Sequence, residues 1–192
     1  MCIRDSAMAA REMVLEEHPE KQICVIDSRA AAGAMVLLIR RAQALMEAAG
    51  DDGDFDALCQ QLHRYQATLR TCFTLENFDN LIKNGRMRPI VGTLLRSLGI
   101  HIIADATAEG TIHVADKARG VGKTYRAITA LMKASKDCTD AEVVISHCEN
   151  LEGAMALKRQ ILADLPVKQV DLLSCRGLTS FYAMEKGLIV GY

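Results

Sequence analysis

Arg86 is the residue whose neighbours in the sequence most clearly indicate binding chemistry. It follows Asn84 and Gly85 at the end of a short predicted helix. Glycine ends helices readily because it adopts the left-handed conformation without a Cβ penalty. An arginine at that point presents a planar guanidinium whose donors match two oxygens of a carboxylate or phosphate. The alternative is a surface arginine that only stabilises the helix C-terminus through the helix dipole.

A second group of basic residues surrounds the glycine-containing turn at 119–124, Arg-Gly-Val-Gly-Lys-Thr. A phosphate-binding P-loop requires Gly-x-x-x-x-Gly-Lys-Thr, and here Lys117 occupies the position of the first glycine. We therefore exclude nucleotide hydrolysis by this loop. The group is either a contact site for a partner or the solvated start of a helix, and it consists of Lys117, Arg119, Lys123 and Arg126.

Two polar pairs follow predicted strands. Asp27-Ser28 comes after an apolar run, but no Ser-His-Asp order or nucleophile elbow surrounds it. A turn that caps the next helix through Ser28 is therefore the favoured interpretation. His147-Cys148 offers one imidazole and one thiol without a second pair, which falls short of a zinc site and favours a polar strand end. We expect no catalytic residue, no metal and no cofactor.

These residues are positioned by a predicted mixed α/β fold in two parts. Residues 1–69 are expected to be the remnant of an N-terminal parallel α/β domain. Met1 to Ser6 do not fit its pattern and are interpreted as foreign or misread. The continuous apolar run Gln22–Ile26 is typical of a strand buried on both faces of a parallel sheet. Helices are predicted from Ala7 to Pro19, over 33–49, and over 55–69 with Asp54 as its cap.

Residues 70–192 are predicted to form a C-terminal α/β domain with a mixed sheet. A hairpin around Gly110 joins two of its strands, and helices separate the others, so an all-parallel sheet is excluded. The predicted strands cover 72–75, 100–106, 111–117, 142–146, 168–172 and 188–190. Helices are predicted to end at residue 86 and to cover 89–98, 123–135, 152–165 and 179–184.

Composition excludes several classes of protein. The chain has 192 residues, of which 50% are hydrophobic, so it can bury a core. The 23 basic and 24 acidic residues give a net charge of −1, which provides no broad field for binding nucleic acid. No apolar run is long enough to cross a bilayer. We expect a cytoplasmic protein whose seven cysteines, none of them in a Cys-x-x-Cys pair, are mainly buried free thiols.

The order of these motifs resembles the DegV family of bacterial fatty-acid-binding proteins, which includes the FakB subunits of fatty acid kinase. The resemblance rests on the run from Phe73 through Gly85-Arg86-Met87, followed by a leucine-rich helix, the hairpin and Lys-x-Arg-Gly at 117–120. Val25-Ile26-Asp27-Ser28 extends it upstream, so it covers the chain from about Ala7. In the family, a Ser-Gly-Thr-Tyr-like turn and several strands precede this point, and we therefore interpret the chain as a fragment.

The resemblance implies a carrier rather than an enzyme. One long-chain fatty acid would lie in a cleft between two α/β domains, with its carboxylate near Arg86, and would be presented to a separate fatty acid kinase that makes acyl phosphate for phospholipid metabolism. The region around Arg119 would contact the kinase, and Ser28 would line the cleft. Transient contact with a membrane is compatible with this role. The acyl tail would lie against aliphatic side chains that could equally be ordinary core, namely Leu94, Leu95, Leu98, Ile100, Ile102 and Ile103.

The chain departs from the family at one point of the predicted head-group site. Where many members carry a histidine that helps to hold the carboxyl group, this chain has Thr179 and Ser180. Their hydroxyls could bond a carboxylate, or they could cap a helix. The alternative function is a small phosphotransferase or hydrolase with Arg86 and Arg119 as phosphate clamps. It ranks second because the sequence offers it no convincing metal-binding carboxylate cluster or general base.

Overall fold

The computed structural model describes residues 3–50, 53–87 and 99–192, which fall into two compact units. The first unit contains Met1–Ser28 and Leu38–Thr68. The second contains Arg29–Leu37 and Leu69–Tyr192. The predicted helix at 89–98, and with it Leu94, Leu95 and Leu98, lies outside the described residues. The interpretation of residues 1–69 as the remnant of a separate domain stays a prediction.

Among the described residues, three helices precede the sheet: α1 (Ile3–Glu17), α2 (Gly33–Ala49) and α3 (Phe55–Thr68). The bounds of α2 are those predicted from the sequence. Asp54 caps α3 as expected, because its Oδ1 accepts hydrogen bonds from the backbone N–H groups of Asp56 at 3.0 Å and Ala57 at 3.1 Å. Helix α2 begins in the residues of the second unit and ends in those of the first.

The strand predicted over Gln22–Ile26 is wrong. Residues 21–30 form neither helix nor strand, and the carbonyl of Ile23 accepts a hydrogen bond from Arg11 Nε at 2.9 Å. A strand exists only where a neighbouring strand supplies its backbone hydrogen bonds. The described residues of the first unit contain no strand that could do so. The apolar run Gln22–Ile26 was therefore not sufficient evidence for a strand.

The second unit contains a six-stranded mixed sheet, which confirms the predicted α/β class. The strands are β1 (Thr71–Thr74), β2 (Ile100–Ala106), β3 (Ile112–Arg119), β4 (Glu142–His147), β5 (Gln169–Ser174) and β6 (Leu188–Gly191). Its described helices are α4 (Asp79–Lys83), α5 (Val121–Ser135), α6 (Leu151–Asp164) and α7 (Gly177–Ala183). The strand order is β3-β2-β1-β6-β4-β5, in which β4 and β5 pair in parallel and the other neighbours are antiparallel.

A separate hydrophobic core covers each face of this sheet. Strand residues alternate between the two, so that Cys72 belongs to the core under α5 and α6 while Phe73 belongs to the core under α4 and α7. Ile103 and Ile102 divide in the same way and are 0% and 2% exposed. Both isoleucines are therefore core residues of opposite faces.

Described cysteines are free, as the sequence predicted for a chain without paired motifs. Six thiols are resolved without a disulfide, and Cys59, Cys72 and Cys138 are buried. Burial is the main cause that raises the pKa of the Cys59 thiol to about 11, and a hydrogen bond with Cys24 is the second. Such a thiol stays protonated and unreactive at neutral pH.

Two glycines allow the first turn of α2 to lie directly on the sheet. A Cβ at Gly191 would overlap the backbone of Gly33 and Ala34, and a Cβ at Gly33 would overlap the carbonyl oxygen of Val144. Ala34 and Leu37 from this turn are 0% and 1% exposed. The close approach thus buries the start of α2 against β4 and β6.

The strand directions bring four carboxyl ends to one end of the sheet. The register pairs Thr74 with Leu188, Leu188 with His147, and His147 with Ser174. Because β3 is antiparallel to β2 and β2 to β1, Arg119 also lies at this end. The segments that lead to α4, α5, α6 and α7 therefore leave the sheet at the end where open α/β sheets usually bind ligands.

Candidate functional site

Arg86 follows the glycine-terminated helix that the sequence predicted. Gly85 has a φ of +67°, and its N–H donates to the Ile82 carbonyl at 3.0 Å. The Arg86 N–H donates to the Leu81 carbonyl at 2.8 Å. These two bonds form a Schellman motif, which fixes the Arg86 backbone relative to α4. The Arg86 side chain is exposed and makes no hydrogen bond or ion pair with the part of the chain that the structure describes.

Replacement of Gly85 by alanine tests the importance of this cap. A Cβ at this position would meet nothing within 4 Å, so the cost comes from the left-handed backbone alone. We expect Gly85→Ala to lower the free energy of unfolding by about 1 kcal/mol. Gly85→Asn should cost less, because asparagine tolerates this conformation. Urea denaturation of both variants measures the difference, and equal stability of Gly85→Ala and the wild type would contradict the assignment.

Thr179 and Ser180 lie in α7, which packs beside α4. The Nδ2 of Asn80 in α4 donates to the carbonyl of Phe181 in α7 at 2.6 Å. The N-cap of α7 is Arg176, so the expectation that Thr179 or Ser180 caps this helix is wrong. Both residues are half-buried inside the helix. Their role toward a carboxylate stays a prediction.

Arg119 is the last residue of the edge strand β3. It pairs with Ile100, and the next residue, Gly120, donates its N–H to the Gly99 carbonyl at 3.2 Å. Gly120 has a φ of +81° and is the N-cap of α5, with no side-chain cap. The side chain of Arg119 is exposed, as are those of the other members of its basic group.

Ser28 does not cap the next helix. Helix α2 starts at Gly33, and Ala32, the residue before it, accepts the backbone hydrogen bonds from Met35 at 3.1 Å and Val36 at 3.3 Å. The Ser28 carbonyl instead accepts a hydrogen bond from Gln66 Nε2 at 3.2 Å within the first unit. The expected cap is wrong because it was placed on the nearest serine rather than on the residue next to the helix.

His147 is the polar strand end that the sequence indicated. It closes β4, is 7% exposed, and lies with its Nδ1 3.4 Å from the Asn150 N–H. Among the described residues, no three His, Cys, Asp or Glu side chains form a group that could hold a metal ion. The Asn150 side chain accepts from Gly153 N at 3.1 Å and so caps α6.

Sequence reasoning missed a pocket with a mixed polar and apolar lining at the same end of the sheet. It measures about 330 Å³ and lies between the first turns of α5 and α6 and the ends of β1 and β6. Its polar lining comes from distant parts of the chain and includes Thr74, Glu76, His101, Tyr125, Glu152 and Lys186. No local motif joins these residues, so only the fold could reveal them.

The fold and the site define a mixed α/β protein with exposed cations and half-buried hydroxyls in segments that leave one end of its sheet. A family model described as "Uncharacterised protein, DegV family" matches residues 3–187. The chain belongs to the DegV family, which confirms the resemblance noted in the sequence. No described helix has both the length and the hydrophobicity needed to cross a membrane.

A "DegV domain-containing protein" from Streptococcus gordonii is a similar relative. It is 33% identical over 189 residues, which are 98% of this chain and 66% of the relative. A second such protein, from Streptococcus pneumoniae serotype 4, is 34% identical over 190 residues. The chain thus spans slightly less than two thirds of the length of these relatives.

Solved structures with the same fold carry fatty acids. A DegV family protein from Eubacterium eligens loaded with heptadecanoic acid has a TM-score of 0.91 at 29% identity, covering 98% of this chain and 67% of the other. The Streptococcus pneumoniae Fatty Acid Kinase (Fak) B3 protein loaded with linoleic acid has a TM-score of 0.90 at 33% identity. That match covers 98% of this chain and 66% of the other.

Proposed function

We propose that this chain is part of a fatty-acid carrier that binds one long-chain fatty acid and presents its carboxylate to a separate fatty acid kinase. The observation that carries the proposal is the match to two fatty-acid-loaded proteins at TM-scores of 0.91 and 0.90. The role is binding, with the chemistry of acyl phosphate formation supplied by the partner.

Hydrophobic burial provides most of the affinity in this proposal. Each methylene removed from water contributes roughly 0.8 kcal/mol, so an apolar site binds a long acyl chain tightly without further help. The head group mainly fixes orientation. Arg86 suits that task because its guanidinium is always charged and its backbone is fixed by the Schellman motif at Gly85.

The other predicted site residues take supporting roles. Thr179 and Ser180 would donate hydrogen bonds to the carboxylate from α7, the neighbour of α4. Arg119 and the basic group around it would contact the kinase, since exposed cations attract a partner that carries phosphate. Ser28 is proposed to line the lipid site.

The lipid content of the purified protein tests the proposal directly. The protein is purified from bacteria, its lipids are extracted, and the extract is analysed by mass spectrometry. We expect stoichiometric long-chain fatty acid. If no fatty acid co-purifies and added oleate does not bind, the carrier is ruled out. A bound phosphorylated metabolite would instead support the phosphotransferase or hydrolase.

Arg86→Met tests the head-group contact while keeping an unbranched apolar side chain. Loss of a charge-assisted hydrogen bond should raise the dissociation constant for oleate by about tenfold or more. Lys83→Met, which removes an exposed cation from the last turn of α4, is the matched control and should leave that constant unchanged. Titration with a fluorescent fatty acid compares the three proteins. If both substitutions weakened oleate binding equally, the effect would come from the lost positive charge in general and not from a contact made by Arg86.

A further inference from the structure

Cys148 and Cys175 directly follow the two strands of the sheet that pair in parallel. Cys148 comes after His147, the last residue of β4, and Cys175 comes after Ser174, the last residue of β5. The register pairs His147 with Ser174, and the Cys175 N–H donates to the His147 carbonyl at 2.7 Å. This bond continues the parallel ladder by one position, so Cys148 and Cys175 stand side by side.

Both cysteine side chains lie on the same face of the sheet. Val143 of β4 pairs with Val170 of β5, and both belong to the core under α5 and α6. Each cysteine lies an odd number of positions further along its strand, and successive side chains alternate between the faces. Cys148 and Cys175 accordingly pack against the other core, the one under α4 and α7. The two thiols therefore share one environment.

The spacing of adjacent strands is suitable for a disulfide between these residues. Neighbouring strands lie about 4.8 Å apart, and disulfides join residues whose Cα atoms are about 4.4–6.8 Å apart. Cys148 is also held on its other side, because its N–H donates to the Gly187 carbonyl at 3.0 Å and its carbonyl accepts from the Lys186 N–H at 2.8 Å. Backbone hydrogen bonds thus fix both cysteines before any bond forms between them.

A small oxidant can reach this pair of thiols. Cys148 and Cys175 are both partly exposed, whereas Cys72 and Cys138, in the core of the other face, are 0% and 4% exposed. Burial raises the pKa of the Cys175 thiol to about 11, and the charge of the Cys148 sulfur adds to this effect. Cys175 is therefore protonated at neutral pH and a poor first nucleophile, so the first attack on an oxidant falls to Cys148.

We propose that Cys148 and Cys175 form a reversible disulfide when the protein meets a peroxide, which makes this pair a redox modification site. In the first step the Cys148 thiolate attacks one peroxide oxygen. A sulfur–oxygen bond forms, the oxygen–oxygen bond breaks, and the other oxygen leaves as water, so that Cys148 becomes a sulfenic acid. In the second step the Cys175 sulfur attacks the Cys148 sulfur, gives up its proton and displaces the hydroxyl group as a second water. The two sulfurs lose two electrons, and one hydrogen peroxide is reduced to two water molecules.

The position of the pair explains why the second step can proceed and why the bond is reversible. Attack by Cys175 is intramolecular, and this proximity offsets the small fraction of its thiolate. The two side chains leave the sheet in parallel and must tilt toward each other, so the disulfide is strained and readily reduced. It would tie together the segments that lead to Asn150 and Arg176, the N-caps of α6 and α7.

Peptide mapping of the whole chain after treatment with hydrogen peroxide tests the proposal. Free thiols are alkylated under denaturing conditions, and disulfide-linked peptides are identified by mass spectrometry. We expect a linked pair that contains Cys148 and Cys175 and disappears on reduction with dithiothreitol. Cys72 and Cys138 are the internal controls, and their thiols should be lost at least about tenfold more slowly. The absence of the Cys148–Cys175 link, or equally fast loss of the control thiols, would overturn the proposal.

Two serine variants separate the steps. Cys175→Ser leaves the oxidised Cys148 without its partner, so a sulfenic acid should accumulate there and react with dimedone. Cys148→Ser should leave Cys175 unlabelled, and the wild type should be labelled little because the disulfide removes the sulfenic acid. Equal dimedone labelling of the wild type and Cys175→Ser would contradict the role of Cys175 as the second nucleophile. None of these measurements involves oleate, so their failure would leave the proposed carrier function untouched.

Discussion

Gly191→Ala is expected to destabilise the protein by about 3 kcal/mol or more. Gly191 pairs with Thr71 on one side and Val144 on the other, so the strand cannot move away without breaking the sheet. The added methyl group would overlap the backbone of Ala34 in the first turn of α2. A backbone neighbour cannot rotate aside as a side chain can, and the turn would have to lift from the core.

Gly122→Ala is the matched control for this substitution. Gly122 lies in the first turn of α5, and a Cβ there would meet nothing within 4 Å. Alanine favours the helix, so this variant should be as stable as the wild type or slightly more so. Urea denaturation followed by far-UV circular dichroism measures both. A Gly191→Ala protein with wild-type stability would contradict the close packing of α2 on the sheet.

Leu157→Ala is expected to lower the free energy of unfolding by about 2–5 kcal/mol. Leu157 is fully buried in the core between α6 and the sheet, beside Ile145 and Ile161. Removal of its branched end loses the transfer free energy of the buried methyl groups and leaves a cavity that the sheet cannot collapse to fill.

Leu151→Ala on the same helix makes the same chemical change at a residue that is 55% exposed. It should cost less than about 1 kcal/mol. The midpoint of urea denaturation should therefore fall strongly for Leu157→Ala and little for Leu151→Ala. Similar losses for the two variants would mean that helix propensity, and not burial, determines the effect.

The helices and paired strands were largely predictable because their signals are local. Helix α2 begins at Gly33 and ends at Ala49 as predicted, and β2 covers the predicted Ile100–Ala106. Periodicity and caps depend on residues within a few positions of each other. The strand predicted at Gln22–Ile26 was wrong for the converse reason, because a strand requires a partner that its own residues cannot supply.

In the candidate site, too, only the features with local sequence signals could be predicted. The left-handed cap at Gly85 and the position of Arg86 after it follow from a few consecutive residues, and both could be predicted. The N-cap of α7 could not be assigned, because Arg176 has no side-chain signature of a cap. The proposal of a fatty acid as the ligand came from the resemblance to the DegV family, and physical reasoning from the residues alone did not reach it.

The sequence by itself determined the α/β class, the approximate bounds of most elements and the glycine-terminated helix that Arg86 follows. Only the tertiary structure decided the strand order β3-β2-β1-β6-β4-β5, the contact of Gly191 with the start of α2, and the pocket around Thr74. The physical reason is distance along the chain. Hydrogen bonds between strands and contacts between helices join residues up to more than a hundred positions apart, and no local pattern encodes which of them meet.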